Sequence, residues 1–116
     1  MDDLVRAVLA FRDERDWKQF HNPKDLAISI TLEAAELLEH FQWKRPDEVT
    51  SYLGSEEHRS RLGKEMADIL ILLISLADAI GLDLMAAARA KLSENADKYP
   101  VERARGSAKK YHELVL

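Results

Sequence analysis

The stretch that decides the fold is residues 56–80, EEHRSRLGKEMADILILLISLADAI, where acidic residues stand within a long apolar run. The other strongly apolar stretch, residues 23–43, has the same character. Two pairs of acidic residues spaced three apart stand out, Glu33 with Glu36 in one stretch and Glu65 with Asp68 in the other, and Glu39 extends the first pair as Glu36-x-x-Glu39. Residues three apart lie on one face of a helix, so the members of each pair point in a similar direction. Because carboxylates among leucines and isoleucines need a cation, the two pairs predict a metal site.

The donor set indicates which cation would bind. It offers carboxylate oxygens, and the chain has no cysteine. Such ligands suit the hard ions Mg²⁺ and Mn²⁺, which usually take substrate phosphates as further ligands. We therefore expect Mg²⁺ as the cofactor, with Mn²⁺ able to substitute, and a polyphosphate as the substrate. The neighbouring Glu39 is expected to meet solvent or to support the site from outside, and His40 to be a hydrogen-bonded structural residue.

Two other classes of protein could use the same residues. The Glu-x-x-Glu spacing is common on solvated helix faces, so a non-catalytic helical adaptor whose acids bind a partner's lysines is one alternative. A carboxylate-bridged di-iron bundle is the other, but it would need Glu-x-x-His motifs, which the sequence lacks.

The composition limits the class of protein further. With 47% hydrophobic and 33% charged residues and only 4 Gly and 3 Pro, the 116 residues are typical of one ordered, helix-favouring domain over residues 1–116. A net charge of −4 gives no positive field for a duplex nucleic acid. The acidic start is unlike a secretion signal, and the longest apolar run, 69–77, falls short of the ~20 residues that cross a bilayer. We expect a cytoplasmic protein with no membrane partner.

Local signals predict helices and no strand. Asn22, Ser55 and Asp83 can cap helix N-termini, and Gly81 can end a helix. The predicted order is a helix over 3–16, a helix over 23–43, a loop over 46–55 with one short helical turn near 47–52, a helix from Ser55 to Ile80, a helix from Asp83 to Tyr99, and a basic tail over about 101–116. The predicted fold class is all-α, a four-to-five-helix bundle. Since the second and third helices are apolar almost all round, we expect them to be covered in a homo-oligomer.

Four motifs together carry a family resemblance. One is formed by the two acidic pairs, separated by a gap of 28 residues. The others are RDWKQFHNP at residues 15–23, ELLEHFQWK at residues 36–44, and the run from Lys91 through Asn95 to Tyr99-Pro100. This combination resembles the all-α nucleoside triphosphate pyrophosphohydrolases, the MazG-like superfamily, and within it the dCTP pyrophosphatase group. The resemblance extends from about Leu4 to Leu114.

The resemblance implies a reaction and a set of site residues. The reaction is Mg²⁺-dependent hydrolysis of a nucleoside triphosphate between the α and β phosphorus, and the family members are usually homodimers or homotetramers. By position, the metal would be held by Glu33, Glu36, Glu65 and Asp68, with Glu33 or Glu36 as the catalytic base. The phosphates would be contacted by Lys91, Asn95 and Tyr99, with Arg105 and Lys109 of the tail as further cations. The base pocket would be formed or bordered by Trp17, His21 and Trp43.

Two positions depart from the pattern of the dCTP pyrophosphatase group. Leu72 stands where that group has a tyrosine, and Val8 where it has a histidine. The expected substrate is dCTP or a modified pyrimidine deoxynucleotide, consistent with a role in cleaning the nucleotide pool. A pyrophosphohydrolase acting on dUTP or on a broader range of triphosphates is the alternative.

Overall fold

The computed structural model describes residues 2–113, and within them it contains α-helices, two short 3₁₀ turns and no strand. The helices are α1 (Asp2–Glu14), α2 (Pro23–Glu39), α3 (Pro46–Leu53), α4 (Glu56–Ala79), α5 (Leu84–Lys98) and α6 (Val101–Ala104). The 3₁₀ turns are Lys18–Phe20 and Tyr111–Glu113. The predicted all-α class is confirmed.

The chain divides into two compact units, one ending at Leu82 and the other beginning at Asp83. The first unit holds α1 to α4, and the second holds α5, α6 and the segment that follows them. The expectation of a single domain over residues 1–116 stays a prediction.

In the first unit, α4 is the central element and packs against α1, α2 and α3. Its most extensive contact is with α2. The buried apolar side chains come from three of these helices: Val8, Leu26, Leu62, Ile74 and Ala77. The pairing of α2 with α4 therefore places the two acidic stretches of the sequence against each other.

An ion pair joins α1 to α4 beside this core. Arg12 is buried, and its Nη1 donates to Asp78 Oδ2 at 2.6 Å while its Nε donates to Asp13 Oδ1 at 2.8 Å. The two carboxylates raise the pKa of Arg12 above its ordinary value, and the hydrogen bond from Arg12 lowers the pKa of Asp13. The guanidinium is thus buried with its charge matched, which is the condition for burying a cation.

The predicted helix starts are confirmed at α2, α4 and α5. Asn22, Ser55 and Asp83 each accept a hydrogen bond from the backbone N–H three residues further on, at 2.9, 3.4 and 3.0 Å. Pro23 follows Asn22 at the first helical position, where its missing N–H costs nothing. These starts were predictable because capping depends on residues that are close in sequence.

Two predicted helix ends were wrong. The first helix ends at Glu14, not at residue 16, because Asp16 adopts the left-handed conformation with φ 53° and closes the turn. The second helix ends at Glu39, four residues before the predicted end at Trp43. Trp43 itself has φ 66°, and the chain turns there so that Arg45 can be extended before Pro46.

Two segments predicted as irregular contain helices. The predicted loop over 46–55 is mostly α3, which begins with proline at its first helical position and has two acidic residues in its first turn. The basic tail contains α6, which follows Pro100 directly. In both cases a proline stands at the helix start, since Pro46 is the first residue of α3 and Pro100 is the N-cap of α6.

Helices α2 and α4 are covered less completely than their composition suggests. In this single chain Leu26 is the buried residue of α2, while Ile28, Leu32 and Leu38 are 47%, 60% and 61% exposed. On α4, Met66 and Ile71 are also exposed. One chain therefore leaves much of these two helices uncovered. Their covering in a homo-oligomer stays a prediction.

No single helix among the described residues is long and apolar enough to cross a membrane.

Candidate metal and nucleotide site

The packing of α2 against α4 brings the four predicted metal-binding acids, Glu33, Glu36, Glu65 and Asp68, into one electrostatic cluster, here called the acidic quartet. Its clearest sign is the pKa of Glu33, which is raised above its ordinary value. Partial burial is the largest cause, followed by the charge of Glu36 and the hydrogen-bonding contact with it, and then by the charges of Asp68 and Glu65. Glu33 therefore senses all three other members of the quartet, including the two on the other helix.

The quartet is not uniformly buried. Glu33 and Glu65 are half-buried, whereas Glu36 and Asp68 are exposed in this chain. Within residues 2–113, no three His, Cys, Asp or Glu side chains are arranged to hold a metal ion as they stand. Because like charges repel and exposed side chains can turn towards water, the helices gather the quartet but rotation of its side chains has to complete an ion site.

Glu65 has a neighbour that the sequence analysis did not assign to the site. His40 Nε2 lies 2.7 Å from Glu65 Oε2, and the His40 side chain is only 5% exposed. On the other side of the ring, His40 Nδ1 forms a hydrogen bond with the hydroxyl of Tyr52. The expectation that His40 is a hydrogen-bonded residue is confirmed.

The contact between His40 and Glu65 has the distance of a hydrogen bond but not its direction. Glu65 Oε2 is buried and has no aligned donor among the described residues. We take it as a close electrostatic contact that leaves lone pairs on Oε2 without a partner, since hydrogen bonds weaken steeply away from linearity. A buried carboxylate oxygen in this state is costly unless a further group binds it.

A polar cleft of about 260 Å³ opens beside these residues. It is lined by Glu36, Glu39, His40, Lys44, Tyr52, Arg61 and Glu65. Lys44, Tyr52 and Arg61 were missed by the sequence analysis. Arg61 could have been predicted from the sequence, because Arg61 precedes Glu65 by four residues and so lies one helical turn away. Tyr52 could not have been predicted as a site residue, because it lay in the segment 46–55 that was predicted as a loop.

The residues present fit a hard divalent cation. The donors are carboxylate oxygens, as Mg²⁺ prefers. The raised pKa of Glu33 and the unpartnered Oε2 of Glu65 both identify negative charge that a cation would stabilise. Lys44 and Arg61 add positive charge to a cleft in which a phosphate chain could lie beside the acids.

The three predicted base-binding residues lie in or near the turns that follow α1 and α2. Trp43 is 91% exposed and Trp17 is 44% exposed, with the Trp17 ring edge-on to Phe11 at 5.6 Å between centroids. His21 Nδ1 is buried and has no hydrogen-bond partner among residues 2–113. None of the three lines the 260 Å³ cleft, so their role in a base pocket stays a prediction.

The five predicted phosphate-binding residues, Lys91, Asn95, Tyr99, Arg105 and Lys109, all belong to the second unit. Lys91 and Lys98 both contact Glu94, at 3.6 and 3.2 Å, and lower its pKa, with Lys98 as the larger cause. The Tyr99 ring meets the ring of Tyr111 edge-on at 6.3 Å between centroids. These contacts gather positive charge at the end of α5.

Comparisons with known proteins agree on one class. A sequence model described as the MazG-like family matches residues 28–114. The dCTP pyrophosphatase 1 of Bos taurus is 41% identical over 114 residues, which cover 98% of this chain and 68% of that protein. The dCTP pyrophosphatase 1 of Homo sapiens is 40% identical, with 98% and 67% covered. The crystal structure of a pyrophosphatase from Archaeoglobus fulgidus superposes with a TM-score of 0.78 at 42% identity, covering 86% of this chain and 92% of that one.

The all-α fold, together with the similarity of the chain to pyrophosphatases in sequence and in structure, defines a hydrolase of the pyrophosphatase class. The chain belongs to the MazG-like family. The resemblance and the enzyme class predicted from the sequence are thereby confirmed.

Proposed function

We propose that the chain is a Mg²⁺-dependent nucleoside triphosphate pyrophosphohydrolase. It hydrolyses the anhydride between the α and β phosphorus of dCTP or a modified pyrimidine deoxynucleotide, and it releases the monophosphate and pyrophosphate. The observation that carries the proposal is the convergence of three carboxylate charges on Glu33 across two packed helices. The relatives named dCTP pyrophosphatase 1, similar over 98% of this chain, support the choice of nucleotide.

The acidic quartet would hold Mg²⁺, or Mn²⁺ in its place. Such a cation, when bound, neutralises phosphate charge and makes a nearby water more acidic. Glu33 or Glu36 then accepts the proton of the attacking water. Both stay candidates, because the like charges that raise the pKa of Glu33 would be offset by the cation.

Cations of the chain would bind the phosphates that the metal does not. In the first unit, Lys44 and Arg61 line the cleft beside Glu36 and Glu65. In the second unit, the predicted residues Lys91, Asn95, Tyr99, Arg105 and Lys109 would contact the phosphates. Charge-assisted hydrogen bonds of this kind stabilise the charge on the departing pyrophosphate.

The nucleobase would be recognised by the aromatic residues of the turns. Trp17 and Trp43 expose flat apolar rings on which a pyrimidine can stack, and His21 offers a ring nitrogen without a partner among the described residues. Val8 and Leu72, the two departures from the dCTP pyrophosphatase pattern, are buried and half-buried. They favour a second candidate, a pyrophosphohydrolase acting on dUTP or on several triphosphates, because the dCTP pyrophosphatase group carries a tyrosine and a histidine at these positions.

The exposed apolar residues of α2 and α4 support a homodimer or homotetramer as the active form. A nucleotide substrate and a cysteine-free chain both favour a cytoplasmic enzyme.

The test is to incubate the protein with Mg²⁺ and a panel of nucleoside triphosphates, and to identify the products. We expect a nucleoside monophosphate and pyrophosphate, fastest with a pyrimidine deoxynucleotide. In Glu36→Gln, loss of a metal ligand or base should lower the rate by about 100-fold or more. The matched control is Glu57→Gln, which removes the same charge from an exposed residue in the first turn of α4.

Release of orthophosphate together with a diphosphate would exclude the proposed reaction. Equal rates in Glu36→Gln and the unaltered protein would exclude the acidic quartet as the catalytic metal site. A panel in which dUTP or several bases are hydrolysed equally well would select the second candidate. A melting midpoint that does not respond to Mg²⁺ or Mn²⁺, in a protein without hydrolytic activity, would favour the adaptor.

A further inference from the structure

We infer that His40, held by Tyr52, is a positioning residue that fixes the Glu65 carboxylate for cation binding. This inference rests on the proposed function, because it concerns the affinity of the acidic quartet for its metal. It does not make His40 a metal ligand. Glu65 is the quartet member with an imidazole nitrogen at 2.7 Å.

The chemistry of the two neighbours fixes which nitrogen of His40 carries the proton. An ionised carboxylate can only accept, so His40 Nε2 carries the proton that faces Glu65 Oε2. In neutral histidine the other nitrogen is then an acceptor, so the Tyr52 hydroxyl donates to His40 Nδ1. One tautomer of His40 is therefore compatible with both neighbours. The Tyr52 hydroxyl selects it, which keeps the Nε2 proton directed at Glu65.

Tyr52 is itself held in place by its surroundings. Its ring stacks on the ring of His58, with 3.8 Å between centroids and 6° between planes. His58 Nδ1 lies 2.9 Å from the Tyr52 carbonyl oxygen and donates to it. Lys44 Nζ lies 4.7 Å from the centroid of the Tyr52 ring. Tyr52 of α3 is thus held by His58 in the first turn of α4, and Tyr52 in turn holds His40 at the end of α2.

The imidazole restrains Glu65 without using up its oxygen. The contact is close but poorly aligned, and Oε2 keeps acceptor capacity that no described residue fills. A residue that contacts a metal-binding side chain from outside limits the rotamers of that side chain. His40 would limit those of Glu65 in this way, so that a bound ion has less conformational freedom to remove. Loss of such partners typically weakens metal binding by about 10- to 100-fold.

The experiment is a calorimetric titration of the whole chain with Mn²⁺ alone, in the absence of nucleotide. We expect His40→Leu, which removes both ring nitrogens, to bind Mn²⁺ about 10- to 100-fold more weakly. His40→Gln can present an amide N–H near the position of Nε2, so it should recover much of the affinity. His112→Leu, which changes an exposed histidine of the second unit, should bind Mn²⁺ as the unaltered protein does.

Tyr52→Phe gives a second test that does not depend on how His40→Leu folds. It keeps the ring that stacks on His58 and removes the hydroxyl that selects the tautomer. We expect a smaller loss of Mn²⁺ affinity, about two- to tenfold, as for one hydrogen bond. In activity assays both variants should need more Mg²⁺ for half-maximal rate, while kcat at saturating Mg²⁺ stays near that of the unaltered protein.

Failure of the inference and failure of the proposed function can be told apart. If the unaltered protein binds Mn²⁺ and hydrolyses nucleotides, but His40→Leu and Tyr52→Phe bind Mn²⁺ within twofold of it, the inference alone is overturned. Equal losses in His40→Leu and His40→Gln, with Tyr52→Phe unchanged, would also overturn it and leave a packing role. If the unaltered protein binds no Mn²⁺, the proposed metal site and the inference both fall.

Discussion

Glu33 carries a charge that its surroundings disfavour. Because its folded-state pKa is raised, it contributes to stability below its unfolded-state pKa, and this contribution is lost as the pH rises through the folded-state value. Above its folded-state pKa, the ionised Glu33 carboxylate therefore disfavours folding. Functional sites commonly carry such a cost in stability, and a bound cation would offset it.

At the scale of single residues, the ion pair of Arg12 makes a prediction about stability. Asp78→Ala removes one of two partners from a guanidinium whose side chain is 6% exposed. Because Arg12 keeps Asp13, we expect a loss of about 1–3 kcal/mol in the free energy of unfolding, as for a hydrogen bond to a buried charged group. Urea denaturation followed by circular dichroism measures it.

The control for this prediction is an exposed ion pair. Asp3→Ala removes the partner of Arg6, and the two side chains are 97% and 74% exposed. Surface pairs of this kind contribute at most about 1 kcal/mol. A loss in Asp78→Ala no larger than that in Asp3→Ala would mean that the Arg12 contact between α1 and α4 does not stabilise the fold.

At the scale of helices, two glycines have opposite roles, one within α4 and one just after its C-terminal end. Gly81 has φ 68° and closes the helix, with Leu82 N bonded to Ala77 O at 2.8 Å and Gly81 N bonded to Asp78 O at 3.1 Å. Gly63 lies within the helix and has no such requirement. An added Cβ would meet no other atom within 4 Å at either glycine. The two positions therefore differ in backbone conformation and not in the space available for a side chain.

The same substitution should therefore have opposite effects at these two positions. Gly63→Ala should raise the free energy of unfolding by about 0.5–1 kcal/mol, because it reduces the entropy that the chain loses on folding. Gly81→Ala should lower it by about 1–2 kcal/mol, because a Cβ is strained at positive φ. Thermal unfolding of the two variants side by side measures the contrast. Equal shifts of the same sign would contradict it.

The sequence predicted the helix starts more accurately than the helix ends. The starts of α2, α4 and α5 follow from capping side chains, which act within three residues. The end of α4 was equally clear, because Gly81 marks it. The ends of α1 and α2 were placed too late, since Asp16 and Trp43 take the left-handed conformation without being glycine.

At the scale of the whole molecule, the exposed apolar residues predict assembly. Ile28 and Leu32 are one turn apart on α2 and are 47% and 60% exposed. Burying a leucine contributes about 1.5–3 kcal/mol, so Leu32→Glu should weaken a homo-oligomer strongly. Light scattering after size-exclusion chromatography should show a lower mass for this variant.

Thr50→Glu is the matched control, because it adds the same charge at an exposed polar position of α3. It should leave the mass unchanged. A monomeric unaltered protein, or an unchanged mass in Leu32→Glu, would show that α2 is not an interface between copies.

The candidate site was predictable in part. The spacing of the acidic quartet indicated its residues and its preference for hard cations, and the family resemblance implied the reaction. His40 was recognised as a hydrogen-bonded residue, but its partners were not. Its contacts with Tyr52 and Glu65 span 12 and 25 positions, and no periodicity encodes such distances.

By itself, the sequence determined the all-α class, most helix starts and the presence of four acids in the two most apolar helices. It did so because helical periodicity and capping act between residues a few positions apart. Only the tertiary structure decided that α2 lies on α4, that Arg12 meets Asp78 across 66 positions, and that the hydroxyl of Tyr52 reaches the imidazole beside Glu65. These pairings follow from how helices share buried surface, which depends on the whole first unit at once.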